Sequence, residues 1–374
     1  MIPVNQPLLN GNELKYLAEC IETGWISSEG PFVRRLEEGM ANICDQRHGI
    51  AVANGSVALD VAVKALGIGP DDEVILPTFT IIACAAAIIR AGATPVVVDS
   101  DPLTWNIDPA QIEAKVTPRT KAIMVVHIYG LPVDMDPVVD TAKRHGLKII
   151  EDSAEQIGQE YRSSAGVSRA VGSFGDIATF SFYPNKHVTT GEGGMVLTNN
   201  EALAERCRSL RNLCFGKTRR FVHEELGWNF RMSNLQAAVG VAQLERLPQT
   251  LEKKRRIGGW YDELLADIGT LERLPARTAY AENVYWVYGV VLKDHVPFEA
   301  EEAMRRLSAL GIGTRPFFWP MHEQPVLRRM GLFEGVRCPV AERIARRGFY
   351  LPSGVVLTRG EAETVAAAVR RILS

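Results

Sequence analysis

The chain has 374 residues, 46% of them hydrophobic, and its 42 lysines and arginines nearly cancel its 44 aspartates and glutamates. With no long basic block it offers no phosphate-neutralising stripe to nucleic acid, and with apolar runs this short it offers no segment able to cross a bilayer. The six cysteines (Cys20, Cys44, Cys84, Cys207, Cys214, Cys338) contain no Cys-x-x-Cys pair and the seven histidines no zinc-hydrolase spacing, which argues against a metal.

The N-terminus, Met1-Ile2-Pro3-Val4-Asn5-Gln6, lacks the basic-then-apolar pattern of a secretory signal, so a cytoplasmic protein is expected. From about residue 48 to 200, short apolar runs alternate with helix-like segments. Strands are expected over 49–53, 73–76, 95–99, 122–127, 148–151, 177–182 and 194–198, and helices over 57–66, 82–91, 109–115 and 135–145. That order, with short connections, predicts an α/β fold with a mostly parallel seven-stranded sheet covered on both faces. A helix follows over 201–210, then a polar loop bearing arginines, then a long helix over 234–247 interrupted by Pro248. The remainder reads as helix, strands near 285–291 and 314–318, and helices near 300–310 and 361–373. The expected organisation is a large domain over 1–248 and a smaller C-terminal α/β domain over 249–374.

In sheets of this kind ligands collect beyond the carboxyl ends of the strands, and three such turns carry chemistry. The first is the turn after the strand at 49–53, where Gly55 and Ser56 open a helix. Backbone amides and a hydroxyl at a helix N-terminus form an anion site; the alternative is a plain serine cap. The second ends the strand at 148–151, where Asp152 follows Glu151 and should point to the opposite face. A carboxylate there can pair with a protonated ring nitrogen, or simply cap a loop. The third is the segment from Phe180 to Gly194, in which Lys186 precedes two threonines and three closely spaced glycines. A lysine packed tightly in such a loop is partly dehydrated, which favours the neutral amine that forms a Schiff base; the alternative is a surface lysine beside a turn. Together the three supply what pyridoxal 5'-phosphate (PLP) needs: a phosphate grip, a ring-nitrogen partner and an amine.

Beyond these turns, the segments 24–31, Asn54-Gly55-Ser56, Pro77-Thr78-Phe79-Thr80, Glu151-Asp152-Ser153-Ala154-Glu155, the lysine loop and Gly227-Trp228-Asn229-Phe230-Arg231-Met232 span nearly the whole chain. In these the sequence resembles the sugar aminotransferases of the DegT/DnrJ/EryC1/StrS family, which share the aspartate aminotransferase fold. The resemblance implies PLP as cofactor, with Lys186 as its Schiff-base residue, Asp152 on the pyridine nitrogen, and Gly55, Ser56 and Ser181 on the phosphate. It places Glu155 near the ring and Ile81 where some members put an aromatic ring against the cofactor. Asn229 matches a residue that reaches the phosphate from a neighbouring subunit, implying a homodimer or larger homo-oligomer. The implied reaction moves the amino group of glutamate to C4 of a nucleotide-linked 4-keto-6-deoxy sugar, GDP-linked ahead of UDP- or dTDP-linked. Arg231, Trp319 and His322 are candidate substrate contacts, and Lys217, Arg219 and Arg220 are further cations for a diphosphate. The last three are equally a solvated basic loop, and His322 equally a residue of a surface turn. A related branch that removes a sugar hydroxyl carries histidine at the lysine position; here that position is Lys186.

Overall fold

The apolar runs of the first two hundred residues form strands buried on both faces. The computed structural model describes residues 1–216 and 218–373. Its strands, in chain order, are β1 (His48–Val52), β2 (Glu73–Pro77), β3 (Thr94–Val98), β4 (Thr120–Val126), β5 (Lys148–Asp152), a small hairpin β6 (Glu160–Arg162) and β7 (Ser168–Ala170), β8 (Ile177–Ser181) and β9 (Gly194–Thr198). All but the hairpin join one seven-stranded sheet in the order β1-β9-β8-β5-β4-β2-β3. Only β9 runs against its neighbours β1 and β8; the other pairs are parallel. The mostly parallel sheet expected from the sequence is therefore the one that forms.

Helices cover both faces. In chain order they are α1 (Glu13–Thr23), α2 (Pro31–Ile43), α3 (Gly55–Ala65), α4 (Ile82–Arg90), α5 (Met135–His145), α6 (Glu201–Arg211) and α7 (Asn234–Leu244). Strand alternation decides which layer each apolar residue enters. In β4, Ala122 and Met124 pack toward α3 and α4, while Ile123 and Val125 pack toward α5. Over β8 and β9, Phe180, Met195 and Leu197 meet Leu36, Met40, Ala237 and Ala238 of α2 and α7.

Two expectations fail for local reasons. The segment 109–115 forms two short 3-10 turns, Pro109–Gln111 and Glu113–Lys115, in place of an α-helix. Seven residues hold barely two α turns, too few to propagate without tertiary support. The helix expected over 234–247 ends at Leu244, and Pro248 sits in the first turn of α8 (Leu247–Leu264), which spans the expected domain boundary at residue 248. A proline there lacks only an amide that would have no intrahelical acceptor, so it starts a helix and does not stop one.

A second, antiparallel sheet follows: β10 (Leu271–Arg273), β11 (Tyr288–Leu292), β12 (Arg315–Pro316) and β13 (Gly348–Leu351), in the order β10-β11-β13-β12. The strand expected from residue 285 begins at Tyr288 because Tyr285 turns through a left-handed φ of 49°. Residues of α8, α9 (Ala300–Ala309) and α12 (Arg359–Leu373) pack against β11 and β13, and α10 (Pro325–Arg329) and α11 (Pro339–Arg347) complete the set. The two sheets meet through aromatic rings. Tyr129, just past β4, lies 4.8 Å from Phe317 and 5.8 Å from Trp286, ring centre to ring centre. No helix among the described residues is long and apolar enough to cross a membrane.

Helix α7 opens with a capping box. Ser233 Oγ accepts from the Gln236 amide at 3.3 Å, and Gln236 Oε1 accepts from the Ser233 amide at 3.0 Å. The Gln236 side chain also donates to the Glu192 carbonyl at 2.7 Å, tying the helix to the lysine loop. Ser233→Ala should therefore lower stability by about 1 kcal/mol, seen as a lower midpoint in urea unfolding.

Candidate active site

At the carboxyl end of the large sheet an open cleft of about 1620 Å³ is lined by Gly55, Ser56, Ile81, Asp152, Glu155, Ser181 and Lys186, together with Tyr183, Trp286, Phe318 and Tyr350. The three turns singled out in the sequence thus converge. Gly55 is required by a close approach: a Cβ there would lie 2.7 Å from Ser181 Cβ and 3.0 Å from its Oγ. The helix caps itself from one residue earlier, Asn54 Oδ1 accepting from the Val57 amide at 3.0 Å. Gly55 and Ser56 therefore stand at the end of α3 where the first amides lack intrahelical acceptors, with the Ser181 hydroxyl beside them.

Asp152 closes β5 and is 3% exposed. Its Oδ1 accepts from the Ala154 amide at 3.1 Å and its Oδ2 from the Cys84 thiol at 3.3 Å. Burial raises its carboxyl above the ordinary range, and these two donors offset that only in part. Glu151 faces the other way, as strand alternation requires, and receives the His127 ring at 3.2 Å and the amides of Phe174, Gly175 and Gly172. Burial opposes its ionisation too, but those donors outweigh it and hold the carboxyl below its usual value.

Lys186 ends a turn in which its amide donates to the Tyr183 carbonyl at 2.9 Å. Its Nζ donates to Glu155 Oε1 at 3.3 Å and lies 3.8 Å from the centre of the Trp286 ring. Trp286 also fixes the loop directly, its indole N–H donating to the Asn185 carbonyl at 2.8 Å. Glu155 is buried, and its other oxygen accepts from the Tyr129 amide at 2.7 Å. Burial pushes its carboxyl up to about 7 in spite of Lys186. His187, adjacent to the lysine, is turned away into the interior, where burial lowers its imidazole to about 3 and keeps it neutral.

The other candidates lie elsewhere. Asn229 is exposed, accepts from Arg231 Nε at 2.8 Å, and does not line the cleft. Arg231 borders a separate hollow with Ser28, Glu29, Arg208 and Arg211. Trp319 lies under the Arg346 guanidinium at 4.9 Å. His322 is 1% exposed, its Nδ1 2.7 Å from Thr78 Oγ1 and its Nε2 3.2 Å from Glu342 Oε1, so its ring is committed on both sides away from the cleft. The packing that holds it sets aside the surface-turn reading. Arg219 and Arg220 are on the exposed loop, and Lys217 lies outside the described residues. Sequence reasoning missed Trp286, Tyr129 and Cys84. The first two contact the site from loops beyond the motifs, and Cys84 belongs to no cysteine pair that would single it out.

The donor set suits PLP chemically. It combines an amine for an aldehyde carbon, a buried carboxylate for a ring cation, and a helix N-terminus with two hydroxyls for a phosphate dianion. The fold is that of aspartate-aminotransferase-like PLP enzymes. The profile described as the DegT/DnrJ/EryC1/StrS aminotransferase family matches residues 7–370, and the chain belongs to that family. It is a PLP-dependent aminotransferase. It is 44% identical over 372 residues to GDP-perosamine synthase of Caulobacter vibrioides, covering 100% of this chain and 98% of that one. It is 39% identical to the protein of the same name from Escherichia coli O157:H7, covering 100% and 99%. Among solved structures, S. venezuelae DesV in complex with a ketimine intermediate superposes with a TM-score of 0.88 at 34% identity, covering 97% of this chain and 94% of that one.

Glu155 gives the apoprotein a pH signature. A carboxyl raised from 4.5 to about 7 on folding binds its proton more tightly in the folded state. Its contribution is most favourable below the unfolded value and is lost as pH rises toward about 7. Between about pH 4 and pH 8 the wild-type apoprotein should lose on the order of 3 kcal/mol of stability relative to Glu155→Gln. Urea titrations of both proteins across that window check it.

Proposed function

We propose that this protein transfers the amino group of glutamate to C4 of a nucleotide-linked 4-keto-6-deoxy sugar, with GDP-4-keto-6-deoxymannose as acceptor and GDP-perosamine, a precursor for O-antigen or another polysaccharide, as product. The observation that carries the reading is the convergence of Lys186, Asp152 and the Gly55-Ser56 turn on one cleft. The choice of sugar nucleotide is supported by full-length similarity to the two GDP-perosamine synthases.

In this reading Lys186 is the catalytic residue. Its amine would hold the cofactor and, when free, would take the proton from the substrate carbon. Glu155, 3.3 Å from that amine and with its carboxyl near 7, is placed to hold a proton beside it. Asp152 pairs with the ring nitrogen, Gly55, Ser56 and Ser181 grip the phosphate, and Ile81, 45% exposed at the cleft, lays an aliphatic face toward the ring. When bound, PLP supplies the electron sink for the carbanion formed at the substrate carbon. The site belongs to a homodimer or larger homo-oligomer, with Asn229 and Arg231 offered to a neighbouring copy; their position outside this chain's cleft supports that. Six buried thiols without a disulfide support work in the reducing cytoplasm.

Borohydride reduction of the holoenzyme should fix the cofactor to Lys186, and Lys186→Ala should abolish turnover with the fold intact. A peptide map placing the label on another lysine would refute the assignment. Glutamate and a panel of GDP-, UDP- and dTDP-linked keto sugars, followed by mass spectrometry, should show 2-oxoglutarate formed with one amino sugar, the GDP-linked one.

The shared site has its own test. Lys186→Ala and Asn229→Asp should each be nearly inactive, and mixing them under conditions of verified subunit exchange should restore part of the activity. One site of the mixed dimer then joins an intact lysine to an intact asparagine. Exchange with no recovery would show that each chain completes its own site.

A further inference from the structure

One buried cysteine is bonded to the site. Cys84 lies in the first turn of α4 with no solvent exposure. Its Sγ is 3.3 Å from Asp152 Oδ2, with the thiol as donor, and 3.5 Å from Thr80 Oγ1. With its hydrogen committed to the carboxylate, the sulfur can accept from the Thr80 hydroxyl, giving a relay from hydroxyl to thiol to carboxylate. The second carboxylate oxygen takes the Ala154 amide. Asp152 is thus clamped at both oxygens by neutral donors.

We propose that Cys84 is a positioning residue for Asp152, its thiol fixing the carboxylate's orientation and tipping the shared proton toward the cofactor's ring nitrogen. The inference rests on Asp152 being the ring-nitrogen partner. A donor on Oδ2 draws charge from the carboxylate and weakens its hold on a proton. Burial works in the opposite direction, and the thiol is one of the two hydrogen bonds that counter it. An apolar side chain in its place would leave a buried acceptor without a partner. The proton would then move toward Asp152, and the ring would be a poorer electron sink.

The test uses holoenzyme loaded with PLP carrying ¹⁵N in the ring. Cys84→Ala should move the ring-nitrogen resonance toward that of neutral pyridine and lower kcat by roughly three- to tenfold, the range of one hydrogen bond, while KM for glutamate stays within about twofold. Cys84→Ser keeps a donor and should restore both readouts. An alanine variant with the native resonance, or a serine variant that behaves like alanine, overturns the proposal. Should Cys84→Ala not fold, the infrared S–H band of the native enzyme decides: a band lowered by hydrogen bonding that rises in Asp152→Asn supports the contact, and an unmoved band overturns it. Asp152→Asn also separates the two layers of the argument. An unmoved ring-nitrogen resonance there sinks the cofactor role of Asp152 and this inference with it, whereas a moved one beside an unmoved Cys84→Ala sinks this inference alone.

Discussion

Val126, Asp152 and Thr179 lie abreast in the parallel ladder of β4, β5 and β8. Parallel pairing means that all three strands end on the same side, so the residues that follow them emerge together. Asp152, Glu155 and Ser181 reach one cleft because they stand at or just beyond these strand ends. The lysine loop depends on the same ladder through β8. Its return strand β9 is the single antiparallel member of the sheet, which lets a loop of only twelve residues connect neighbouring strands at the cleft edge.

The three acidic side chains at that edge show what the surroundings do to a buried charge. Glu151 and Asp152 are adjacent and equally hidden, yet one carboxyl is lowered and the other raised. Glu151 is the better served, with three backbone amides and an imidazole. The Val133 amide donates to His127 Nδ1 at 3.0 Å, so the ring hydrogen sits on Nε2 and points at Glu151. Asp152 and Glu155 have fewer donors, so burial dominates. An ionised structural carboxylate thus stands behind the strand, and two carboxyls with raised proton affinity face the cleft, where perturbed groups of this kind mark a functional site.

Gly55, Asp152 and Lys186 could be read from the sequence because each lies at the end of an apolar run or within a few residues of it, and strand topology alone carries such positions to the ligand edge. Trp286 could not, because it reaches Asn185 across a hundred residues from the bend before β11 of the other sheet, and periodicity does not report packing between sheets. His322 shows the opposite error. A histidine in a Trp-Pro-Met-His stretch suggests a reach toward ligand, but only the packing of Thr78 and Glu342 around it reveals that both nitrogens are occupied. Pro248 was misjudged for a simpler reason, since a proline can end one helix or begin the next and the sequence on either side is equally helical.

The charges lining the cleft bear on what it can bind. Its cationic members are Lys186, which is paired with Glu155, and Arg90, whose guanidinium is held by Asp60 at 2.6 and 2.9 Å. Neither can be spared for a nucleotide diphosphate without breaking an existing pair. A substrate of that class has to draw its cations from beyond this chain's lining, and Arg231 and the exposed Arg219 and Arg220 lie outside it. An arginine-bearing segment is well matched to phosphate, and on the shared-site reading a second copy would turn it toward the cleft. The same electrostatic shortfall that leaves the single chain poorly equipped for its substrate is thus an argument for the shared site.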